Sequence, residues 1–331
     1  ADECQKAGAQ AFTYDYQDVV SRDNDNQQLW TEALRACDVA VCTVHPPRDG
    51  FHCSVFAGKC IKEGQLDTIL IPKTGTIVPE YKREFYLPEE TIRSTVITIT
   101  DFTRRYLIDT YQIPEHLIEL IYQGTDVSRF TPDPERAREA VDRYPLPESS
   151  SPVLGNVGSF EERKGQVVLL EAVSQLVKGD LPDLHLVLVG EGPDEKMLKT
   201  KVQVMGLENN VSFFPFTREP MYVFERIDIL VLSSLFKEGL PNVLLEAMSM
   251  KTPVVSSKMA GVPEIVQVGE TGYMVEPGKS EQLAKAILKL WSDQSAYKRI
   301  SENGRKLMES KFDKEVQFKK FLDYFQRIHN E

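Results

Sequence analysis

The second half of the chain alternates short apolar runs with amphipathic stretches, and this alternation constrains the fold more than any other feature. The apolar runs, rich in Val, Leu and Ile, occupy residues 153–157, 184–189, 211–216, 228–232 and 253–256. Helical patterns separate them, at about residues 165–178, 194–205, 218–226, 241–250 and 262–268. Because strands that are apolar on both faces must be covered on both faces, the alternation predicts a parallel sheet between two layers of helices.

The first half repeats this alternation less regularly. Its predicted strands lie near residues 10–14, 38–44, 67–71, 95–100 and 117–122. Residues 131–152 are dense in Pro, Ser and charge, which is typical of an interdomain connection, and they include a short helical pattern. We therefore predict an α/β protein with two Rossmann-like, doubly wound domains, residues 1–149 and 150–312, which face a cleft where ligands bind.

The opening residues, ADECQKAGAQAFTYDY, have the pattern of a helix end followed by a second strand. A doubly wound domain normally begins with a strand and a turn. We therefore expect the first strand of the N-terminal domain to be missing from this sequence.

The composition and charge of the chain argue against several classes of function. The 331 residues carry a formal net charge of −11, which argues against nucleic acid as a partner, because clustered Lys and Arg drive phosphate-backbone binding. No apolar run is long enough to span a bilayer, and the polar N-terminus lacks the apolar core of a signal peptide. The cysteines are odd in number and form no CxxC pair, which favours reduced thiols and a cytoplasmic location. They are Cys4, Cys37, Cys42, Cys53 and Cys60.

Two groups of residues are weak candidates for a metal site. The first has spacings that match no familiar ligand pattern and consists of Cys42, His45, His52, Cys53 and Cys60. The second is a D-x-D triplet, Asp23–Asp25, in a polar stretch with no preceding strand, which is typical of a solvated loop. We therefore expect no metal and no cofactor.

Two glutamates flank the start of a predicted helix in residues 237–248, KEGLPNVLLEAM. Pro241 suits the first helical position, so Glu238 falls on the strand-to-helix turn and Glu246 within the helix. Free N–H groups of Asn242 and Val243 would favour a phosphate at the positive end of the helix dipole. The pattern suits a sugar, a diphosphate and a ribose in a line. It equally suits an amphipathic helix with one Glu near its start and one partly exposed Glu.

A basic turn follows the first strand of the second half, in residues 157–172, VGSFEERKGQVVLLEA. Gly158 begins the turn, and Arg163 and Lys164 end it at a helix start. Positive charge opposes the dipole there unless an anion binds, so the turn indicates either a phosphate site or a solvated basic loop.

Two further glycine motifs carry less information. Residues 186–198, LVLVGEGPDEKML, contain a G-x-G without the third Gly of a dinucleotide fingerprint, which more often marks a tight turn. Residues 259–278, MAGVPEIVQVGETGYMVEPG, form a loop, a short helix and a Gly-rich turn before a strand.

In this order the motifs resemble those of the retaining family 4 glycosyltransferases, the "glycosyl transferases group 1", which have the GT-B fold. Residues 238–248 resemble the E-x7-E motif, and residues 158–165 the phosphate loop. Residues 259–278 and 100–132 are similar to two further family stretches. The resemblance runs from about residue 95 to the end, and its combination of motifs is far more specific than any single one.

The resemblance implies a role for each matching residue. Glu238 contacts the transferred sugar near the backbone N–H groups of Gly239 and Leu240, and Glu246 accepts hydrogen bonds from ribose hydroxyls. Arg163 and Lys164 neutralise the diphosphate leaving group in place of a metal. Phe216 and Thr217 lie where the family meets the base. The final segment, residues 313–331, forms a helix that crosses back to the N-terminal domain.

The sequence departs from the family pattern at three positions, and we expect the Gly-rich first loop, which helps to hold acceptor and phosphate in the family, to be missing as well. Ser159 follows the loop Gly where many members have Arg, Gln123 replaces a usual Asn, and residues 70–76 lack a His that often touches the sugar. The expected donor is a nucleotide diphosphate sugar and the acceptor a glycan, a lipid-linked sugar or a small molecule. Peripheral association with the inner face of a membrane is compatible with such an acceptor. A non-catalytic sugar-nucleotide-binding remnant and a GT-B-type sugar-nucleotide epimerase are the alternatives.

Overall fold

The computed structural model describes residues 19, 26–44, 52–75 and 82–331. Cys4, His45, the triplet Asp23–Asp25 and the predicted strand near 10–14 lie outside these residues. Contacts divide the chain into two compact units. The first contains the described residues up to Ile99, Thr103–Leu120 and Asp323–Glu331, and the second contains Thr100–Phe102 and Ile121–Leu322. Residues 121–149 thus group with the second unit, and the predicted domain boundaries stay a prediction.

The first unit contains a parallel sheet. Its described strands, in spatial order, are β1 (Val39–Val44), β2 (Ile69–Thr74), β3 (Val96–Thr98) and β4 (Ile118–Leu120). The helices of this part of the chain are α1 (Gln27–Arg35), α2 (His52–Glu63) and α3 (Asp101–Tyr111). The sheet is buried on both faces at β2, where Ile69, Leu70 and Ile71 are almost inaccessible to solvent.

The second unit contains a six-stranded parallel sheet. Its strands along the chain are β5 (Val153–Val157), β6 (His185–Val189), β7 (Val211–Phe214), β8 (Ile229–Leu232), β9 (Val254–Ser257) and β10 (Tyr273–Val275). The spatial order is β10-β9-β8-β5-β6-β7, with every described pairing parallel. All five residues of β6 are buried, including His185, whose Nε2 lies 2.9 Å from Ser212 Oγ.

Helices connect and cover these strands. They are α4 (Pro134–Arg143), α5 (Gln166–Lys178), α6 (Glu195–Met205), α7 (Met221–Phe224), α8 (Asn242–Ser249), α9 (Ser280–Ser292) and α10 (Gln294–Leu307). The final helix, α11 (Lys314–Asn330), belongs to the second unit up to Leu322 and to the first unit from Asp323. None of the helices in the described ranges combines the length and apolar character needed to cross a membrane.

The strand order places a topological switch point between β5 and β8. From β5 the chain winds outward through β6 and β7, and then returns to β8 on the other side of β5. Loops that leave two such strands at their carboxyl ends diverge to opposite faces of the sheet and form a binding crevice. Here these loops are residues 158–165 and 233–241, which contain both motifs singled out in the sequence.

Two predicted helix features differ from the structure. Pro241 is the N-cap of α8, with ψ of 118°, so the helix begins at Asn242 and Pro241 is not its first residue. The helix predicted at 262–268 is only the 3-10 turn Val262–Glu264, because Gln267 N donates to Thr271 Oγ1 at 2.8 Å and does not continue a helical ladder.

Candidate active site

Glu238 lies on the loop between β8 and α8, and one of its carboxylate oxygens accepts three hydrogen bonds. Oε1 accepts from Lys164 Nζ at 2.6 Å, from Ser234 Oγ at 2.7 Å and from Arg163 Nη1 at 3.3 Å. The Glu238 side chain is only 8% exposed. Within the described residues Oε2 accepts no hydrogen bond, so this oxygen is the one left to accept from another molecule.

Backbone and hydroxyl hydrogen bonds join the two loops that carry these side chains. Leu235 N donates to Arg163 O at 2.7 Å, and Ser233 Oγ donates to Lys164 O at 2.9 Å. Gly165 makes this approach possible. Its φ is +63°, and a Cβ added there would lie 2.1 Å from Ser233 O. The cation pair and Glu238 are therefore held together by main-chain contacts as well as by charge.

The rest of the β5–α5 loop fixes the arginine. Arg163 Nη2 pairs with Glu161 Oε1 at 2.8 Å, and Ser159 Oγ donates to the same carboxylate oxygen. Thus Ser159, which stands where many family members have Arg, helps to hold the Glu161 carboxylate against Arg163. Below the loop the buried Gln166 donates to Ser159 O at 2.9 Å, and Asn156 donates to Val231 O at 2.8 Å. Buried, satisfied amides of this kind restrict a loop to one conformation.

The glycines of residues 186–198 support this loop from the neighbouring strand. Gly158 N donates to Val189 O, and Phe160 N donates to Glu191 O at 2.9 Å. A Cβ at Gly192 would lie 2.2 Å from Phe160 O, so only glycine permits this approach. The weak G-x-G motif thus serves as a packing surface for the loop that begins at Gly158.

Four backbone N–H groups at the start of α8 are available as donors. Those of Gly239, Leu240, Asn242 and Val243 donate to no acceptor in the described ranges. They lie at the positive end of the helix dipole, which favours an anion. Gly261 N donates to Gly239 O at 3.1 Å and orients the turn. Gln123, the departure from a usual Asn, donates through Nε2 to Asn242 Oδ1.

Glu246 lies four residues after Asn242 on α8, about 6 Å further along the helix axis. Its carboxylate accepts no hydrogen bond and forms no ion pair with the described part of the chain. Burial raises the pKa of Glu246 above its usual value, and the positive charge of Arg129 offsets part of this effect. A carboxylate in such surroundings is suited to accept hydrogen bonds from neutral hydroxyl groups.

The remaining predicted residues are not brought into this cluster. Phe216 is 63% exposed and follows β7, three strands away from β8 in the sheet. Thr217 Oγ1 accepts from Glu219 N at 3.0 Å, within its own turn. Both lie beyond the carboxyl end of β7, on the same edge of the sheet as the two site loops.

The cysteine-rich segment gives no indication of a metal site in its described part. Within residues 26–44, 52–75 and 82–331, no three His, Cys, Asp or Glu residues are grouped so that they could hold an ion. Burial raises the pKa of the Cys42 thiol to about 12 and that of Cys60 to about 11, which keeps both protonated.

Three members of the site were not predicted from the sequence: Ser234, Glu161 and Arg129. Ser234 follows β8 directly, so its place at the carboxyl end of a buried strand was a usable signal. Glu161 lies in the same loop as Arg163. Arg129 comes from a segment more than a hundred residues away in sequence from Glu246, and no local pattern connects the two.

Comparison with known proteins identifies the family. The family model described as "Glycosyl transferases group 1" matches residues 138–307. The chain is 30% identical to the lipopolysaccharide core biosynthesis glycosyltransferase LpsE of Rhizobium meliloti over 74% of this chain and 71% of that protein. It is 28% identical to the alpha-D-kanosaminyltransferase of Streptomyces kanamyceticus, of which it spans 56%. This second match covers 66% of the chain.

A solved structure supports the fold. Alr3699/HepE of Anabaena, in complex with UDP-glucose, superimposes with a TM-score of 0.83 over 98% of this chain and 88% of that one, at 19% identity. The prediction of an α/β protein with the GT-B fold and two parallel sheets is confirmed. The sequence match and the fold together place this chain in the family of group 1 glycosyl transferases.

Proposed function

We propose that this protein transfers a hexose from a nucleotide diphosphate sugar to an acceptor hydroxyl, with retention of configuration and without a metal. The acceptor is a glycan, a glycolipid or a small molecule, and a lipid-linked acceptor would be met at a membrane surface. The observation that carries the proposal is the meeting of Arg163, Lys164 and Glu238 at the switch point of the sheet.

The cation pair supports the leaving-group part of this proposal. When the bond between sugar and diphosphate breaks, negative charge develops on the phosphate oxygens. Arg163 and Lys164, together with the unpaired N–H groups at the start of α8, are positioned donors for that charge. Donors that are fixed before the reaction stabilise developing charge without reorganisation, which is the contribution a divalent metal makes in other enzymes.

The carboxylates of Glu238 and Glu246 support one particular orientation of the nucleotide sugar donor. Glu238 retains one oxygen, Oε2, with which to accept from a sugar hydroxyl, while Glu246 accepts from the two ribose hydroxyls. The donor would then extend along the first turn of α8, with the diphosphate between sugar and ribose. The solved complex of HepE with UDP-glucose, which shares the fold, makes UDP-glucose the first donor to test.

The test begins with a thermal-shift screen against UDP-, GDP- and ADP-sugars, followed by hydrolysis and transfer assays with the donor that binds. We expect turnover that survives EDTA, and a product whose anomeric configuration by NMR matches that of the donor. Inverted product would refute retention, and loss of activity with EDTA would refute metal independence.

Variants test the residue roles against a matched control. We expect Glu238→Gln to lower kcat by at least about a hundredfold, which is the usual effect of losing one preorganised contact to the transition state. The control is Glu208→Gln, on an exposed turn of the same unit, which should keep wild-type kcat. Full turnover by Glu238→Gln would refute its assignment at the sugar. Tight binding without any turnover would identify a non-catalytic remnant, and release of an epimerised nucleotide sugar would identify an epimerase.

A further inference from the structure

Arg305 on α10 is a mostly buried arginine that binds two separate segments of the chain. Its side chain is 13% exposed. Nη1 donates to Ser249 O at 2.6 Å, to Phe130 O at 2.7 Å and to Val127 O at 3.2 Å. Nη2 donates to Thr131 Oγ1 at 3.2 Å, and Nε pairs with Glu309 at 2.6 Å. The guanidinium therefore has acceptors on both of its terminal nitrogens and on Nε.

One of these acceptors belongs to the helix that carries Glu246. Ser249 is the last residue of α8, and its carbonyl lies at the negative end of the helix dipole. A cation at this end stabilises the helix and fixes its direction. Because Glu246 is only three residues before Ser249, the contact with Arg305 limits how far the Glu246 carboxylate can shift.

The other acceptors belong to the segment that carries Arg129. Val127, Phe130 and Thr131 flank Arg129, and their oxygens all contact the guanidinium of Arg305. The same segment is a tight turn, since Phe130 N donates to Asp126 O at 2.9 Å. Arg129 supplies the positive charge that partly offsets the burial of Glu246. Arg305 thus joins the backbone that holds a buried carboxylate to the backbone that holds its compensating cation.

We propose that Arg305 is a positioning residue that holds α8, and with it Glu246, against residues 127–131 and thereby sets the recognition of the ribose hydroxyls. This inference rests on the proposed function, in which Glu246 accepts from those hydroxyls. Lysine does not substitute fully, because its ammonium ends one bond short of Nη1 and has no further nitrogen for Thr131 Oγ1 or for Glu309.

The test measures ribose discrimination and not affinity alone. UDP, GDP and ADP are titrated by calorimetry, and the diphosphate that binds most tightly is compared with its 2′-deoxy and 3′-deoxy forms. For the wild type we expect each deoxy form to bind about tenfold more weakly or worse, as expected for a hydrogen bond to a charged group. For Arg305→Lys we expect discrimination below about threefold, on the same scale.

Two further variants separate positioning from general loss of stability. Arg299→Lys, on the same helix, changes an exposed arginine whose hydrogen bond to Gly269 O is 3.4 Å long, and it should keep wild-type discrimination. Thr131→Val removes the Nη2 contact and the hydrogen bond that Thr131 Oγ1 donates to Val127 O at 2.8 Å, and it should lower discrimination partially while the protein stays folded. A merely structural role for Arg305 would weaken binding of the ribose and deoxyribose forms equally.

The outcomes distinguish the two proposals. If the wild type binds the deoxy forms as tightly as the parent nucleotide, the assignment of Glu246 to the ribose is wrong. If the wild type discriminates and both Arg305→Lys and Thr131→Val retain that discrimination in full, the positioning role of Arg305 is refuted and the proposed function stands.

Discussion

Gly165 offers the most direct test of how the two site loops are held together. Replacing it with alanine has two costs. The backbone of residue 165 is left-handed, with φ of +63°, and a residue that has a Cβ is less stable than glycine in this conformation by about 1–2 kcal/mol. The new Cβ would also lie 2.1 Å from Ser233 O, a backbone atom that cannot rotate away, so the loops must separate. Overpacking of this kind costs about 1–3 kcal/mol. We expect Gly165→Ala to lower the free energy of unfolding by about 2–5 kcal/mol.

Gly206 provides the matched control. It flanks α6, its φ is +68°, and nothing lies within 4 Å of a Cβ built on it. Gly206→Ala should therefore cost only the conformational part, about 1–2 kcal/mol, and leave kcat/KM unchanged. Because Arg163 and Lys164 precede Gly165 directly, Gly165→Ala should also lower kcat/KM by about tenfold or more. Urea unfolding of both variants measures the difference. Equal destabilisation by the two substitutions would refute the argument from close approach.

The other predictions concern single contacts of the carboxylates. Ser234→Ala removes one of three donors to Glu238 and should lower the free energy of unfolding by about 1–2 kcal/mol in urea titrations, while Ser301→Ala, on an exposed face, should cost less than about 1 kcal/mol. Burial raises the pKa of Glu246 in the folded protein, so the charged carboxylate destabilises the folded state at pH values above that pKa. As the pH falls through that pKa the carboxylate takes up a proton, and this destabilisation is lost. Glu246→Gln should therefore raise the Tm of the unliganded protein at pH 7 to 8, with a gain that shrinks toward pH 4.5, and a gain independent of pH would contradict this. In the wild type, affinity for an intact nucleotide sugar should weaken as Glu246 becomes protonated at a pH above its usual pKa, whereas Glu246→Gln should show no such pH dependence.

The fold was predictable because burial in a parallel sheet leaves a strong pattern in sequence. Strands covered on both faces are predominantly apolar, and the predicted run 153–157 coincides with β5, where the buried Asn156 is satisfied by Val231 O. Helix boundaries were less predictable, since they depend on one dihedral angle. Pro241 adopts ψ of 118° and therefore caps α8 instead of beginning it. Proline fixes φ but leaves ψ to the surrounding structure.

The site was predictable where its residues share a local motif. Arg163 and Lys164 lie in one turn, and Glu238 lies at the end of a buried strand, so both could be placed at the sheet edge. Their mutual contact spans 74 residues and required the strand order. The role proposed for Arg305 could not be predicted from the sequence. This residue lies in a charged stretch that resembles a solvated helix face, yet its acceptors are up to 178 residues away in sequence, and its burial depends on segments that no local pattern connects.

The charge balance around Glu238 determines how a donor can be bound. Arg163 and Lys164 are matched by two carboxylates, Glu161 and Glu238, at 2.6 to 3.3 Å. The loop pair is therefore close to neutral as a whole, and the chain carries a net charge of −11. A diphosphate gains little from long-range attraction to such a surface, because opposite charges this close cancel beyond a Debye length of about 10 Å. Binding must then depend on short-range contacts with the cations and with the N–H groups of α8. Donor affinity should accordingly change far less with ionic strength than it would at an unpaired cation cluster, and a steep salt dependence would show that the carboxylates do not neutralise the pair.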